Sequence, residues 1–166
     1  MVVDPIAPEV HAHQMRVGAL AAERAKAMGL DADTVELVRT AGQLHDCGKL
    51  FCLAATRSSG GFNPIIKIHP EKGAAMIRPF FGNDAAELVI GHHPKYLGST
   101  YLESSPAQRA IIEADVWDAL REFRPYKASM SVNRASRILS MEGVQGSDLT
   151  WWRLTGGNDA RIWLHP

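Results

Sequence analysis

The sequence lacks the features that mark several common classes of protein. Its two cysteines, Cys47 and Cys52, match neither a zinc-ligand pair nor a secreted disulfide framework. It has no basic excess, since 18 lysines and arginines balance 18 aspartates and glutamates, and this argues against binding to a nucleic-acid duplex or a membrane surface. Its first 13 residues lack the charged region and apolar run typical of a signal peptide, and we expect no membrane span, since no stretch approaches 18 uninterrupted apolar residues. We therefore expect a cytoplasmic protein with reduced thiols.

The chain does have the length of one folded domain. A domain of 166 residues buries about 70% of its unfolded surface, so a full core can form without disulfides. No internal repeat, low-complexity tract or linker divides the sequence. We predict one domain over residues 1–146 and a C-terminal extension, 147–166, packed on the same domain.

Apolar residues recur at helical spacing through most of the chain. The pattern predicts a helix over residues 8–28 that Gly29 ends, and a second helix that opens at a capping box over Asp33–Glu36 and runs to His45–Asp46. Further helices are predicted at 70–80, 84–97, 106–123 and 131–142, and residues 55–64 read as a loop. The expected fold class is therefore all-α.

The last stretch has a different pattern. Bulky residues flank the turn-forming sequence at 156–159, which is typical of a short β-hairpin over residues 150–164. We expect Trp151, Trp152 and Trp163 to pack onto the helices, with a dimer contact as the alternative.

Histidines and acidic residues recur along the predicted helices in a set suited to divalent metals. Imidazole nitrogen and carboxylate oxygen bind such ions, and a carboxylate such as Asp46 can bridge two of them. Asp115 lies in an apolar helix, where an unpaired carboxylate would be costly. Five of the seven histidines belong to the set, whose members are Glu9, His13, His45, Asp46, His69, His92, His93 and Asp115. The set predicts a centre of two or three divalent ions.

Each member also has a simpler interpretation. A lone histidine on a helix is usually a surface or hydrogen-bonded residue, and Glu9 could be a favourable acid in a first helical turn. Adjacent helical residues diverge by about 100°, so His92 and His93 both bind only near a crowded centre, or one turns away. His11 and His165 fit no ligand role.

Two further charged residues are candidates for supporting roles. Lys49 lies four residues after His45 and shares its face if the helix continues, where an ammonium would suit a bound phosphate. Asp118, one turn after Asp115, is either a partner that orients a ligand or an exposed acid.

Four local segments resemble the HD superfamily of metal-dependent phosphohydrolases, and in detail its HD-GYP branch. They are HQMRV at 13–17, HDCGKL at 45–50, HPEKGAAMI at 69–77, and ADVWDAL at 114–120 followed by RPYK at 124–127. The resemblance runs from about residue 9 to residue 140. It implies an HD-domain helical bundle that hydrolyses cyclic di-GMP or a related nucleotide by metal-activated water. The metals implied are iron or manganese, with zinc, cobalt and nickel as further candidates.

The resemblance also assigns roles to individual residues. Glu9 corresponds to the extra acidic ligand of trinuclear members, and Asp46 and Lys49 to catalytic positions. Substrate contacts are implied for Lys49, Tyr101, Arg124 and Lys127. The expected partner is a small phosphate ester, and an oligomer is compatible with the sequence.

One segment departs from the family pattern. Over residues 92–104 the chain reads HHPKYLGSTYLES, so that Pro94, Leu97, Thr100 and Leu102 replace the glutamate, aspartate, glycine and proline of the family. Because this segment shapes the substrate pocket in the family, two alternatives stay open. One is a nucleotide-binding signalling module without turnover, and the other is a nucleotidase acting on phosphomonoesters.

Overall fold

The computed structural model describes residues 8–56, 64–122 and 128–154, and these residues form helices with no strand among them. The α-helices are α1 Pro8–Ala27, α2 Ala32–Leu44, α3 Lys49–Thr56, α4 His69–Ile90, α5 Pro106–Arg121, α6 Val132–Glu142 and α7 Gly146–Leu154. Short 3-10 segments cover Pro64–Ile68, Pro94–Leu97 and Tyr101–Glu103. The predicted all-α class is confirmed. Within the described ranges, none of the helices has the length and apolar character needed to span a bilayer.

Helices α1 and α2 form a close antiparallel pair, in which the N-terminal end of α1 lies beside the C-terminal end of α2. A Cβ atom on Gly42 would lie 2.9 Å from Gly18 Cα, so the two backbones meet where neither residue has a side chain. Because the two helices run in opposite directions, the first turns of α1 lie beside the last turn of α2. This pairing places His13 next to His45.

Helix α5 runs through the centre of the bundle. Ile111, Ala114 and Trp117 on this helix are fully buried, and the helix contacts α1, α2, α4 and α6. The Trp117 ring lies 5.3 Å, centre to centre, from that of Trp152 on α7, which is also fully buried. Burial of these rings supplies several kcal/mol of hydrophobic stabilisation.

The structure corrects two predicted helix boundaries. The N-cap of α2 is Asp31, whose side chain accepts hydrogen bonds from the Thr34 backbone and hydroxyl, so the capping residue precedes the predicted capping box by two positions. The helix predicted over 84–97 ends instead at Ile90, and α4 is kinked at Gly82, where φ is 82°. His92 and His93 consequently lie in the turn after α4.

The predicted C-terminal hairpin is wrong in its first arm. Residues 150–154 continue α7, because a helix buries Trp152 against Trp117 while leaving Leu154 exposed. The second arm lies outside the described residues. The division of the chain at residue 146 stays a prediction.

Candidate metal centre

Seven of the predicted site residues converge at one end of the bundle. α1 supplies one, the turn after α2 two, the start of α4 one, the turn after α4 two, and α5 one; they are His13, His45, Asp46, His69, His92, His93 and Asp115. Residues up to 102 positions apart in sequence therefore meet around one point.

Asp46 lies between two groups of side chains. Its Oδ2 atom is 3.4 Å from His45 Nε2 and 4.0 Å from His13 Nε2. Asp115 completes this side, with Oδ1 3.1 Å from His13 Nε2 and 3.6 Å from His45 Nε2. Ligand atoms about 2.1 Å from one ion stand between about 3.0 Å apart, at a right angle, and about 4.2 Å apart, on opposite sides, so these separations suit a shared cation. His13, His45 and Asp115 are called the His13 group.

The other oxygen of Asp46 faces a second group. Its Oδ1 atom lies 3.2 Å from His69 Nε2 and 3.9 Å from His92 Nε2. One nitrogen each of His69, His92 and His93 lies within 4.8 Å of the others, and these three residues are called the His69 group. Both members of the histidine doublet reach the centre, because they sit in a turn and are freed from the divergence that a helix would impose.

Main-chain oxygens orient three of the histidines. The Nδ1 atoms of His45, His69 and His92 lie 2.7, 2.6 and 2.6 Å from the carbonyl oxygens of residues 42, 66 and 89, each three positions earlier. A carbonyl only accepts, so each Nδ1 carries a hydrogen and each neutral ring has its lone pair on Nε2. All three Nε2 atoms therefore point into the centre, where each can carry a proton or bind a metal ion.

This orientation leaves buried polar atoms without partners. His69 Nε2 and His92 Nε2 lie 3.1 Å apart, which sets two lone pairs against each other unless a proton or a metal ion lies between them. Among the described residues, His45 Nε2 and Asp46 Oδ1 are buried with no hydrogen-bond partner. Buried polar atoms are nearly always satisfied in folded proteins. The donor set is thus compatible with divalent metal binding.

The electrostatics of the His13 group favour a cation. Burial alone would raise the pKa values of Asp46 and Asp115, yet the adjacent histidines, and Lys49 beside Asp46, hold both well below their ordinary range. Burial lowers the pKa values of His13 and His45, but the carboxylates outweigh it and raise them to about 9 and about 10. Carboxylates that favour a proton here also favour a metal cation.

The His69 group has different electrostatics. Burial, followed by the charges of His45 and His93, holds the pKa of His92 well below its ordinary value. Burial lowers the pKa of His93 to about 4, although Asp115 acts in the opposite direction. Both rings are therefore neutral at neutral pH, which is the form that binds metals.

Gly48 sets the approach of the His45–Asp46 turn to α4. A Cβ atom at this position would lie 2.0 Å from the His69 carbonyl oxygen and 2.5 Å from Gly73 N. Such distances do not occur for real Cβ atoms, so a side chain here would push the two backbones apart. The close approach places Asp46 beside His69.

Lys49 reaches the centre by a different route from the predicted one. Residues 45–48 form a turn, and Lys49 begins the new helix α3 instead of extending α2. Its Nζ donates to Asp46 Oδ2 over 2.5 Å, and its side chain is 34% exposed. The ammonium group therefore borders both the carboxylate and solvent.

Tyr101 lines a cavity beside the centre, but its hydroxyl is engaged elsewhere. The hydroxyl donates to the buried Glu113 Oε1 over 2.6 Å. The cavity has a volume of about 210 Å³ and is also lined by His92, His93 and Tyr96. Tyr101 therefore presents its ring, not its hydroxyl, to this cavity.

Three predicted site side chains fall outside the described residues. Arg124 and Lys127 lie in the stretch 123–127, and Glu9 belongs to α1 but its side chain is not described. Their roles stay predictions. His11 is exposed on α1, as expected for a residue without a ligand role.

The structure excludes one of the two interpretations of Asp118. This residue is fully buried, and its Oδ2 lies 2.7 Å from His13 Nδ1. Arg16 donates to both of its oxygens, from Nε over 2.8 Å and from Nη2 over 2.9 Å. Asp118 is thus a hydrogen-bonded partner of a candidate ligand and not an exposed acid.

A second buried charged cluster, which was not among the sequence predictions, surrounds Glu113. Glu113 Oε2 accepts hydrogen bonds from Arg24 Nε over 2.7 Å and from Trp152 Nε1 over 2.5 Å, while Oε1 accepts from Tyr101. Arg24 Nη2 also lies 2.6 Å from Asp148 Oδ1. These five residues are called the Glu113 network. An unpaired acid in an apolar helix is as costly at residue 113 as at residue 115, so the sequence signal that marks Asp115 also marks Glu113.

A known protein family matches the chain over most of its length. The sequence profile of the HD domain family matches residues 10–120, a range that contains every member of the His13 and His69 groups. The match covers well over half of the chain.

Similar proteins are named as phosphodiesterases of cyclic dinucleotides. The chain is 29% identical over 153 residues to 3'3'-cGAMP-specific phosphodiesterase 1 of Vibrio cholerae, covering 85% of the chain and 36% of that protein. It is 30% identical over 129 residues to the cyclic di-GMP phosphodiesterase response regulator RpfG of Xanthomonas campestris pv. campestris, covering 69% and 34%. The 3'3'-cGAMP-specific phosphodiesterase 3 of Vibrio cholerae is 31% identical, with coverage of 83% and 33%. The chain spans about a third of the length of these relatives.

Proposed function

The chain belongs to the HD domain family, and on this premise we propose that it is a metal-dependent phosphohydrolase that cleaves a phosphodiester bond of a cyclic dinucleotide or a related nucleotide. The observation that carries the proposal is the position of Asp46, whose two oxygens face two separate groups of histidines. A carboxylate so placed suits two ions held close together, the arrangement used for phosphoester hydrolysis. The names of the relatives indicate the substrate class.

The two groups would hold one ion each. His13 and His45, which both face Asp115, would serve the first ion together with it. His69, His92 and His93 would serve the second ion, with Asp46 shared between the two. We propose iron or manganese, because ligands that mix imidazole with carboxylate suit both. Glu9 is the candidate ligand for a third ion.

The bound ions would supply Lewis-acid activation of water and neutralisation of phosphate charge. Asp46 and Asp115 stay ionised at neutral pH and so provide the negative charge that keeps two dications in place. Lys49 lies where its ammonium can leave Asp46 and contact a phosphoryl oxygen at the solvent side. Arg124 and Lys127 are assigned further contacts to phosphate by the family pattern.

The neighbouring cavity is proposed to receive an organic part of the substrate. His93 and Tyr96 stack with ring centres 4.8 Å apart at its edge, and Tyr101 and Ile112 supply further apolar surface. A volume of about 210 Å³ is below the range typical of pockets for whole drug-sized ligands, so it suits one nucleobase-sized ring rather than a complete dinucleotide. The rest of the substrate would extend over the metal centre.

The proposal is tested by a substrate panel. Protein reconstituted with Mn²⁺, or anaerobically with Fe²⁺, is incubated with cyclic di-GMP, 3'3'-cGAMP, cyclic mononucleotides and nucleoside monophosphates, and the products are separated by chromatography. We expect cleavage of a cyclic dinucleotide by the parent and none by Asp46→Ala. Asp84→Ala, which removes an exposed aspartate from α4, is the matched control and should retain activity.

Each other outcome has a definite meaning. Tight binding of a nucleotide without product would favour the signalling module, and cleavage of monoesters alone would favour a nucleotidase. An Asp46→Ala protein that hydrolyses the substrate as fast as the parent would exclude the proposed site.

A further inference from the structure

One candidate ligand is oriented differently from the other three whose contacts the structure defines. His45, His69 and His92 each present Nδ1 to a main-chain carbonyl oxygen. His13 presents Nδ1 to a carboxylate, Asp118 Oδ2, at 2.7 Å. A charged acceptor strengthens this hydrogen bond relative to a neutral carbonyl, so the His13 ring has the more strongly held orientation.

The carboxylate that orients His13 is itself fixed. Arg16 grips both oxygens of Asp118 and also donates from Nη2 to Glu122 Oε1 over 2.5 Å. Arg16 lies three residues after His13 on α1, and Glu122 lies four residues after Asp118 at the end of α5. The two pairs therefore meet face to face along the line where α1 packs on α5. Asp118 is 0% exposed and has no room to turn away.

The same atoms do not form a separate metal site. One donor atom each of His13, Asp118 and Glu122 lies within 4.8 Å of the others, which by itself would suit an ion. The guanidinium of Arg16 already occupies the space between the two carboxylates. A second cation there would be repelled, so the acids act through His13.

An imidazole whose Nδ1–H is bound by a carboxylate is a more basic ligand at Nε2, and loss of such a partner typically lowers metal affinity 10–100-fold. We propose that Asp118 and Arg16 are positioning residues that raise the metal affinity of the His13 group alone, so that the two metal positions of this centre differ in affinity and the His13 position is the tighter. This inference rests on the proposed metal-dependent function. The His69 group has no comparable partner among the described residues, because main-chain oxygens orient His69 and His92.

The test is a metal titration of the intact chain. Mn²⁺ binding is measured by calorimetry and by the electron paramagnetic resonance of free Mn²⁺, for the parent and for Asp118→Asn. We expect two binding steps in the parent. In the variant we expect the tighter step to weaken about 10–100-fold and the weaker step to change by less than about twofold.

A matched control comes from the same helix. Glu113→Gln makes the same chemical change at a carboxylate that is also 0% exposed, but in the Glu113 network. It should leave both binding steps within about twofold of the parent. If circular dichroism shows that Asp118→Asn does not fold, Arg16→Lys replaces it, because lysine keeps the positive charge but cannot donate to both Asp118 oxygens in the same way. We expect Arg16→Lys to weaken only the tighter binding step, and by a smaller factor.

The outcomes separate this inference from the proposed function. The inference is overturned if Asp118→Asn leaves both binding steps unchanged or weakens both equally, and the proposed function would still stand. The same criterion applies to Arg16→Lys where that variant is used instead. A parent chain that binds no Mn²⁺ or Fe²⁺ would overturn the proposed function, and the inference with it.

Discussion

Two buried charged clusters share helices α1 and α5 and differ in how their polar atoms are satisfied. In the Glu113 network, both oxygens of Glu113 receive hydrogen bonds, from Arg24, Trp152 and Tyr101. In the metal centre, buried atoms of His45 and Asp46 have no hydrogen-bond partner among the described residues. The Glu113 carboxylate is fully hydrogen-bonded as folded, and Arg24 Nη2, which has no assigned hydrogen bond, lies 2.6 Å from Asp148 Oδ1. The open atoms of the second cluster are compatible with a bound cation.

The comparison shows that residue type and position do not reveal the role of a buried acid. Glu113 and Asp115 are two residues apart on α5, and both lie in the same apolar stretch. Glu113 pairs with Arg24 of α1, whereas Asp115 faces His13, which is also on α1. A closed ion pair supports the fold, while an open set of lone pairs destabilises the fold unless it is occupied. We therefore expect substitutions in the two clusters to affect different properties.

The largest effect is expected at the residue shared by both histidine groups. Asp46→Ala should lower hydrolysis by about 1,000-fold or more, equivalent to about 4 kcal/mol of transition-state stabilisation. Its helical circular dichroism and cooperative unfolding should resemble those of the parent, because the substitution removes no core packing. Initial-rate assays with Mn²⁺-loaded protein measure the first effect. Activity within tenfold of the parent would show that the open cluster is not catalytic.

The converse substitution should affect stability and not metal binding. Glu113→Ala leaves Arg24 buried without its main partner, and breaking a buried pair costs about 3–5 kcal/mol. For a chain of this size, the melting temperature should fall by about 10 °C. Calorimetric melting and Mn²⁺ titration are the measurements. If Glu113→Ala had an unchanged melting temperature, or no longer bound Mn²⁺, the two clusters would not have the separate roles in stability and metal binding that we expect.

Addition of metal should stabilise the parent through the open cluster. Free Mn²⁺ at about 100 times its dissociation constant stabilises a folded protein by about 2.7 kcal/mol per site, which corresponds here to a rise of about 5–10 °C. Glu113→Ala should show the same rise from its lower starting point, and Asp46→Ala should show little. Melting curves with and without a chelator test this. Equal rises in all three proteins would mean that Mn²⁺ binds elsewhere.

The smallest effect is expected from removing one donor of the closed cluster. Trp152→Phe keeps an aromatic ring against Trp117 but deletes the hydrogen bond to Glu113 Oε2, which Arg24 still satisfies. The expected loss is about 1 kcal/mol, or about 2–4 °C in melting temperature. Mn²⁺ affinity serves as the internal control and should not change. A loss as large as that of Glu113→Ala would mean that the network fails as a whole when one bond is removed.

The residues that converge at the candidate metal centre could be picked out from the sequence because they are marked by residue type and local order. Histidine beside aspartate at 45–46, and a histidine doublet at 92–93, stand out in any context. The all-helical fold followed from apolar spacing. These signals are local, and local patterns can be read from one sequence.

Other features depended on partners distant in sequence. Arg24 and Glu113 are 89 positions apart, and nothing in either helix indicates that they meet. Trp151 and Trp152 suggested a strand, because bulky residues favour both strands and buried helix faces, and only the presence of Trp117 decides between them. The end of α4 at Ile90 was missed because the predicted helical spacing continues through the histidine doublet.

Gly48 has a consequence for the choice of ion. The main chain at Gly48 lies in close contact with the main chain at His69. Gly48 therefore sets the shortest possible distance between the turn that carries Asp46 and helix α4, which begins at His69. The methyl group of an alanine at this position would push the turn and α4 apart. The gap between the two ligand groups would widen by a fraction of an ångström or more, and the pair of sites would then fit larger ions, or ions set further apart. We therefore expect Gly48→Ala to change the preferred ion size of the proposed centre, although Gly48 has no side chain and is not itself a proposed ligand.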